Sequence, residues 1–414
     1  MIIGKVQPNN VFTPRSREIN ERMYVDRPEL EERLEDALKG DKYVIVHGES
    51  GNGKTWLFKR VLARKKIPFQ VVNLANAVLH GSLINAFDAK VAELGGERRS
   101  SRMEEVDVGF RPGGIGAGGK QQTQIQIATQ SSFGLLVSHL NKQAKGNRSV
   151  LVLDNFEQIV DNHDFLKSVA SIIISADEES IAKHGVKLLI VGVPRDLKQL
   201  VAKVGNAATI ANRLIEIPEV ARMTLTEATS LMARGFEKEL GYSFDLKKED
   251  LYKEVCWKTD RIAQQIHELC LKIALEAERN NGLISSDVVL KAEKKWLEES
   301  FSSDLGVIEN LMNSIETKLG RKNQVIYSLG KVEKEDFKHS DIEKIVREEF
   351  DVDDGINLNL PQMLASFAKA ENPLIRKTPK NNAYRFVSPK LKMVIRAGLQ
   401  RDTENRVIKT VDAS

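Results

Sequence analysis

The chain has 414 residues, 41% of them apolar and 29% charged, with a net charge of +4. That length exceeds one ordinary core and predicts two or three domains, and the composition excludes a disordered or fibrous chain. Only two cysteines, Cys256 and Cys270, exclude a disulfide framework; no apolar run reaches membrane-spanning length, and MIIGKVQPNN lacks a signal-peptide core, so a cytoplasmic setting is expected.

Residues 1–22 are polar, with Pro8 and Pro14, and read as an extended N-terminal arm. A helix is expected from Glu29 to Lys39, capped by Asp26, with Leu30, Leu34 and Leu38 on one face. The run YVIVH, Tyr43 to His47, is a short buried strand that leads into GESGNGKT, Gly48 to Thr55. Further strands are expected at Phe69–Leu74, Ser149–Asp154, Val186–Gly192 and Leu214–Ile217. Helical sequence separates them at Leu79–Leu94, Ser131–Lys145 and His163–Lys183. Strands alternating with helices predict an α/β fold with a parallel sheet and helices on both faces.

Between Arg98 and Gln130 the composition shifts to RRSSR, GGIGAGG and TQIQIATQ. This predicts a β-hairpin insertion at 98–130, whose Arg98, Arg99, Arg102 and Arg111 can face nucleic acid or a neighbouring subunit. From Thr224 to Ser300 every segment has helical periodicity, predicting an all-helical lid. Helices near Val307–Leu319, Asn323–Leu329, Ser340–Phe350 and Leu360–Ala370 then precede two strands, Leu374–Thr378 and Tyr384–Ser388, the pattern of a winged helix. The expected domains are therefore an arm at 1–22, a nucleotide-binding core at 23–221, a helical lid at 222–301, a winged helix at 302–402 and a tail at 403–414.

Gly48 to Thr55 matches the P-loop pattern, and each position has a mechanical reason. Glycines let successive backbone N–H groups turn toward phosphate oxygens, Lys54 adds a point charge for the β/γ-phosphates, and the Thr55 hydroxyl suits Mg²⁺. The following helix presents its positive end to the same anion. Gly48, Glu49, Ser50, Gly51, Asn52, Gly53, Lys54, Thr55 and Trp56 are the expected nucleotide contacts, with ATP and Mg²⁺ the cofactors. Asp154 closes the apolar run VLVLD and is placed to hold Mg²⁺ through water, the Walker B role.

The segment LVLDNFEQI resembles the Walker B of STAND and related AAA+ ATPases. The helical lid and winged-helix pattern resemble Orc1/Cdc6-like AAA+ proteins, the two likenesses together running from about Tyr24 to Leu399. The resemblance implies the ASCE sheet arrangement, with room for a strand between those of the P-loop and Asp154. It also implies an adenine contact around Val25 and a γ-phosphate sensor near Arg195. Arg213 falls where the family's arginine finger lies, projecting into a neighbouring subunit's site, and Arg261 falls where a second sensor is found. The position after Asp154, usually the catalytic glutamate, is Asn155; Glu157 is the nearest acid that can replace it.

From Asn372 to Arg401 the chain carries Arg376, Lys377, Lys380, Arg385, Lys390, Lys392, Arg396 and Arg401 without an acid. On a winged helix this predicts phosphate contacts to double-stranded DNA. The reading is an ATP-hydrolysing protein that forms a homo-oligomer and acts on DNA. The alternative is a STAND-like signalling switch, as in a bacterial defence system, that regulates a protein partner.

Overall fold

The structure, a computed structural model, describes residues 6–79, 81–95, 132–193, 207–312, 320–378 and 382–410. The expected insertion at 98–130, Arg195 and Lys380 lie outside the described residues. The chain divides into two compact units, Arg17–Ile19 with Asp26–Ala221, and Met1–Ser16 with Asn20–Val25 and Arg222–Ser414.

The first unit runs α1 (Pro28–Lys39), β1 (Tyr43–His47), α2 (Lys54–Arg64), β2 (Phe69–Asn73), α3 (Leu74–Leu79), α4 (Leu83–Glu93), α5 (132–144) and β3 (Ser149–Asp154). It continues through α6 (His163–Ser175), α7 (Glu179–Ala182), β4 (Val186–Val193), α8 (Ala207–Asn212) and β5 (Leu214–Glu216). Among the described residues the five strands form one parallel sheet in the order β2-β3-β4-β1-β5. Alternate side chains of each strand go to opposite faces. Ile45, Leu151, Leu153, Leu188 and Ile190 pack with α3 to α6, and Val44, Val46, Val150, Val152, Leu189 and Val191 pack with α1 and α2. Burial on both faces explains why these strands read as continuous apolar runs.

One local expectation holds and one changes. β4 stands between β1 and β3, the ASCE order that the resemblance implied, because the crossover through α6 and α7 returns the chain to the gap between them. Asp26 does not cap α1: Arg27 is the capping position without a side-chain cap, Pro28 supplies the first turn, and the Arg27 N–H donates to Glu31 Oε1 at 3.1 Å.

The second unit holds α9 (Leu225–Ala233), β6 (Ser243–Phe244), α10 (Lys248–Lys258), α11 (Ala263–Arg279), β7 (Leu283–Ile284), α12 (Ser286–Leu311), α13 (Arg321–Lys331), α14 (His339–Phe350) and α15 (Leu360–Lys369). An antiparallel hairpin follows, β8 (Ile375–Lys377) and β9 (Tyr384–Phe386), then α16 (Pro389–Gly398) and a second hairpin, β10 (Leu399–Arg401) and β11 (Val407–Lys409). One apolar core runs through the whole unit. Thr224 and Glu227 form a reciprocal capping box at the start of α9, and α12 breaks its helical geometry at Phe301 (φ −138°, ψ 17°). Cys256 and Cys270 are buried free thiols on α10 and α11, packing as small apolar groups.

The chain ends are more ordered than their polar composition suggests. Pro8–Val11 form a helical turn rather than an extended arm, and Phe12 is fully buried with its ring 4.9 Å from that of Phe236. The Thr13 N–H donates to His267 Nδ1 at 3.2 Å, and burial pushes the His267 imidazole down to about 4, so it serves as a neutral acceptor. Two apolar residues, Val11 and Phe12, suffice to anchor this segment. In the expected tail, β11 pairs with β10.

Candidate nucleotide site

The P-loop begins where β1 ends, and its shape is set by contacts to the segment after β5. Gly48 has φ +140°, and a Cβ there would lie 2.5 Å from the Val220 carbonyl oxygen, so backbone conformation and space both require glycine. Buried Asn52 donates from Nδ2 to that same Val220 oxygen at 3.1 Å. Arg27, 8% exposed, donates from Nη1 to the Asn52 oxygen at 3.2 Å and to the Ala221 oxygen at 3.1 Å. The loop is thus clamped from one side by a buried guanidinium, a role no local sequence pattern around Arg27 announces.

Lys54 opens α2 and folds its Nζ onto the carbonyls of Gly48 (2.8 Å) and Glu49 (2.9 Å). Burial lowers the Lys54 pKa, opposed by the nearby carboxylates of Glu157 and Asp154. The ammonium therefore sits in the loop it would share with a phosphate, restrained but with exchangeable partners. Thr55 hydrogen-bonds the Asp154 carboxylate, which also accepts the Asn155 N–H at 2.9 Å. Burial raises the Asp154 pKa, and that N–H and Lys54 oppose the rise. A hydroxyl and a carboxylate make an oxygen-only donor set of the kind that would suit Mg²⁺.

Asn155 cannot act as a base and is occupied otherwise. It has φ +61° and donates from Nδ2 to Asn73 Oδ1 at 2.8 Å, Asn73 being the register partner of Asp154 on β2. This left-handed residue turns the chain into the short 3₁₀ helix Phe156–Gln158, bringing Glu157 against the end of β4. A Cβ on Gly192 would run into Glu157 Oε2, and Gly192 has φ +88°. Glu157 Oε2 is buried without a hydrogen-bond partner among the described residues. Burial raises the Glu157 pKa, opposed by its own backbone N–H and by Lys54, while Asp154 adds to the rise. A buried carboxylate oxygen left without a donor is costly, and such groups gather at functional sites.

Within the first unit, Arg213 does not join this cluster. Arg213 stands at the N-terminal end of β5, and since β5 runs parallel beside β1, it lies at the opposite end of the strands from its own P-loop. Its Nε donates to Asp177 Oδ2 and its Nη1 to the Thr209 oxygen at 2.8 Å. Val25 and Arg261 belong to the second unit. Val25 packs against that unit's core. Arg261 is exposed with φ +57°, ahead of α11 rather than at its first turn, and its carbonyl accepts the Met223 N–H at 2.9 Å.

The basic segment 372–401 is less available than its composition implied. Lys392 and Arg396 are 4% and 5% exposed and converge on buried Asp260, at 3.2 and 3.0 Å from its Oδ1. Arg222 pairs with the other oxygen. Arg396 also donates to the carbonyls of Gly330 (2.6 Å) and Trp257 (2.5 Å). Burial pushes Lys392 down to about 8, against the attraction of Asp260. Arg385 forms a two-point pair with Asp336, at 2.7 and 2.9 Å. Arg376, Lys377 and Lys390 are exposed. The acids that pair these cations lie outside the acid-free stretch, which is why a local count missed them.

A parallel sheet ordered with one strand between the P-loop strand and the strand that ends in Asp154 defines an ASCE P-loop fold. Residues 37–201 match the family described as AAA domain. That matched segment lies within the first unit, which is thereby an AAA-type P-loop domain. A Walker-type ATPase of Pyrococcus abyssi shares the fold at 14% identity, with 90% of this chain and 96% of that one covered and a TM-score of 0.51. Cdc6p of Pyrobaculum aerophilum (16% identity, 94% and 96% covered, TM-score 0.44) and the ORC2 protein of Aeropyrum pernix in its ADP form (14%, 94% and 96%, 0.48) are also similar. No curated protein matches the chain in sequence. Among the described residues no helix is long and apolar enough to cross a membrane.

Proposed function

We propose that the chain binds ATP with Mg²⁺ and hydrolyses it, with Glu157 as the base that orients the attacking water. The observation that carries this is the half-buried Glu157 carboxylate, whose Oε2 is buried with no hydrogen-bond partner among the described residues and which feels the charges of Lys54 and Asp154. Gly48 to Trp56 hold the phosphates, and Thr55 and Asp154 hold the metal. Bound Mg²⁺ would neutralise charge on the transferring phosphoryl group. Lys54→Ala removes a charge-assisted contact to phosphate and is expected to weaken ATP binding by about 10- to 100-fold. Titration calorimetry of the full chain checks this, and unchanged affinity would remove the P-loop reading.

Assembly into a homo-oligomer is part of the proposal, because Arg213 lies a strand length from its own P-loop and would stabilise phosphoryl transfer in a second copy. Val25 and Arg261 are proposed contacts to the adenine and the γ-phosphate. The elements α13 to β9, three helices and a hairpin, suit a winged helix that meets double-stranded DNA, with Arg376, Lys377, Lys390 and Arg401 as its phosphate contacts. Counterion release then predicts a slope of log K against log salt of roughly −3 to −4, whereas all eight cations of the segment would give about −7. A filter-binding salt series on a random duplex measures this. No duplex binding at low salt would instead favour the alternative, a STAND-like switch that acts on a protein partner.

A further inference from the structure

Arg213 is held by a chain of contacts that no phosphate-binding motif requires. Tyr43, the first residue of β1 and 6% exposed, donates its hydroxyl to Asp177 Oδ1 at 2.7 Å, while Lys187 Nζ lies 5.8 Å from the Tyr43 ring centre and donates to the Lys42 carbonyl at 3.2 Å. The other Asp177 oxygen takes the Arg213 Nε–H, and Nη1 is tied to the Thr209 carbonyl. Nη2 has no partner among the described residues, and the side chain is 28% exposed. Asp177 follows the C-terminus of α6, its N–H bonded to the Ile174 carbonyl at 3.1 Å. A carboxylate at the negative end of a helix is disfavoured by the helix dipole, so local stability gives no reason for an acid there.

We infer that Asp177 is a positioning residue that aims Arg213 at the nucleotide of a second copy of this chain, with Tyr43 fixing the carboxylate. The inference rests on the reading of Arg213 as a finger acting between copies. Strand β1 has five residues, so Arg213 lies a strand length, about 16 Å, from the level of its own P-loop, too far for its own γ-phosphate. Two of its three nitrogens are fixed within the chain and the third edge is left for the partner's phosphate. Holding a guanidinium this way removes side-chain freedom before assembly, the usual benefit of an outer layer of hydrogen bonds.

The test is a double-mutant cycle on the full chain, read as steady-state kcat and KM for ATP at a protein concentration that saturates turnover. Asp177→Asn is expected to lower kcat about 10- to 100-fold with KM little changed, and Arg213→Ala about 10³-fold. In the Arg213→Ala background Asp177→Asn is expected to cost nothing more, because it acts only through that arginine. Tyr43→Phe, which removes one hydroxyl, is expected to show a smaller loss that also vanishes in that background, and serves if Asp177→Asn folds poorly. Wild-type or faster turnover in Asp177→Asn beside a slow Arg213→Ala overturns the positioning role and leaves the finger standing. Equal losses in both backgrounds also overturn it, by showing a structural role independent of Arg213. Wild-type turnover in Arg213→Ala overturns the finger itself.

Discussion

Glu157→Gln is expected to slow ATP turnover by about 10²- to 10⁴-fold, the usual contribution of a positioned general base, while ATP affinity stays within about threefold. The amide preserves the volume that Gly192 leaves open, so the change removes a proton acceptor without disturbing the P-loop. Because burial raises the Glu157 pKa above the ordinary carboxylate range, wild-type turnover should fall as pH drops through that raised value. The base is lost there by protonation, and this acid limb should disappear from the residual activity of the glutamine variant. Phosphate-release kinetics across pH, with calorimetry for binding, check both parts. Unchanged kcat would assign the water to another group and leave the space that Gly192 gives Glu157 without a catalytic purpose. Gly192 is the feature of this site that sequence reading missed, since a lone glycine ending a strand carries no mark of which side chain will approach it.

Asp260→Asn is expected to have the largest effect on stability. It leaves Arg222, Lys392 and Arg396 around a neutral group, and breaking a buried ion cluster by removing one partner costs about 3–5 kcal/mol. Asp260 has φ +51°, a conformation asparagine tolerates as well as aspartate, so the backbone does not confound the result. Urea unfolding measures it, with a double Arg376→Ser, Lys377→Ser variant as the surface control, expected within about 0.5 kcal/mol of wild type. A loss below about 1 kcal/mol in Asp260→Asn would show that Lys392 and Arg396 find solvent readily, returning them to the set available for DNA.

The two expected results mark where sequence reading succeeds and where it stops. The sheet was legible because strands buried on both faces must be apolar throughout, so SVLVLD and VKLLIVG declare themselves. Their spatial order came only through the family resemblance, because nothing inside VKLLIVG itself says that it enters between the strands of Tyr43 and Asp154. The basic segment shows the same divide in its charges. Lys392 and Arg396 meet Asp260 at sequence separations of 132 and 136, so a window drawn around the cations sees no acid.

By itself the sequence determined that this protein is an α/β P-loop protein with a helical C-terminal half and a phosphate-binding loop at Gly48 to Thr55. Backbone turns at glycine, a charge on Lys54 and a hydroxyl on Thr55 act within eight consecutive residues. Only the tertiary structure decided that Glu157 is a half-buried acid beside Lys54 and Asp154, that Arg27 and Val220 clamp the loop, and that Arg213 is tied to Asp177. It also decided that much of the basic segment is structural. Each of these depends on desolvation and pairing between groups distant in the chain, and burial acts on a side chain through whatever the fold brings against it.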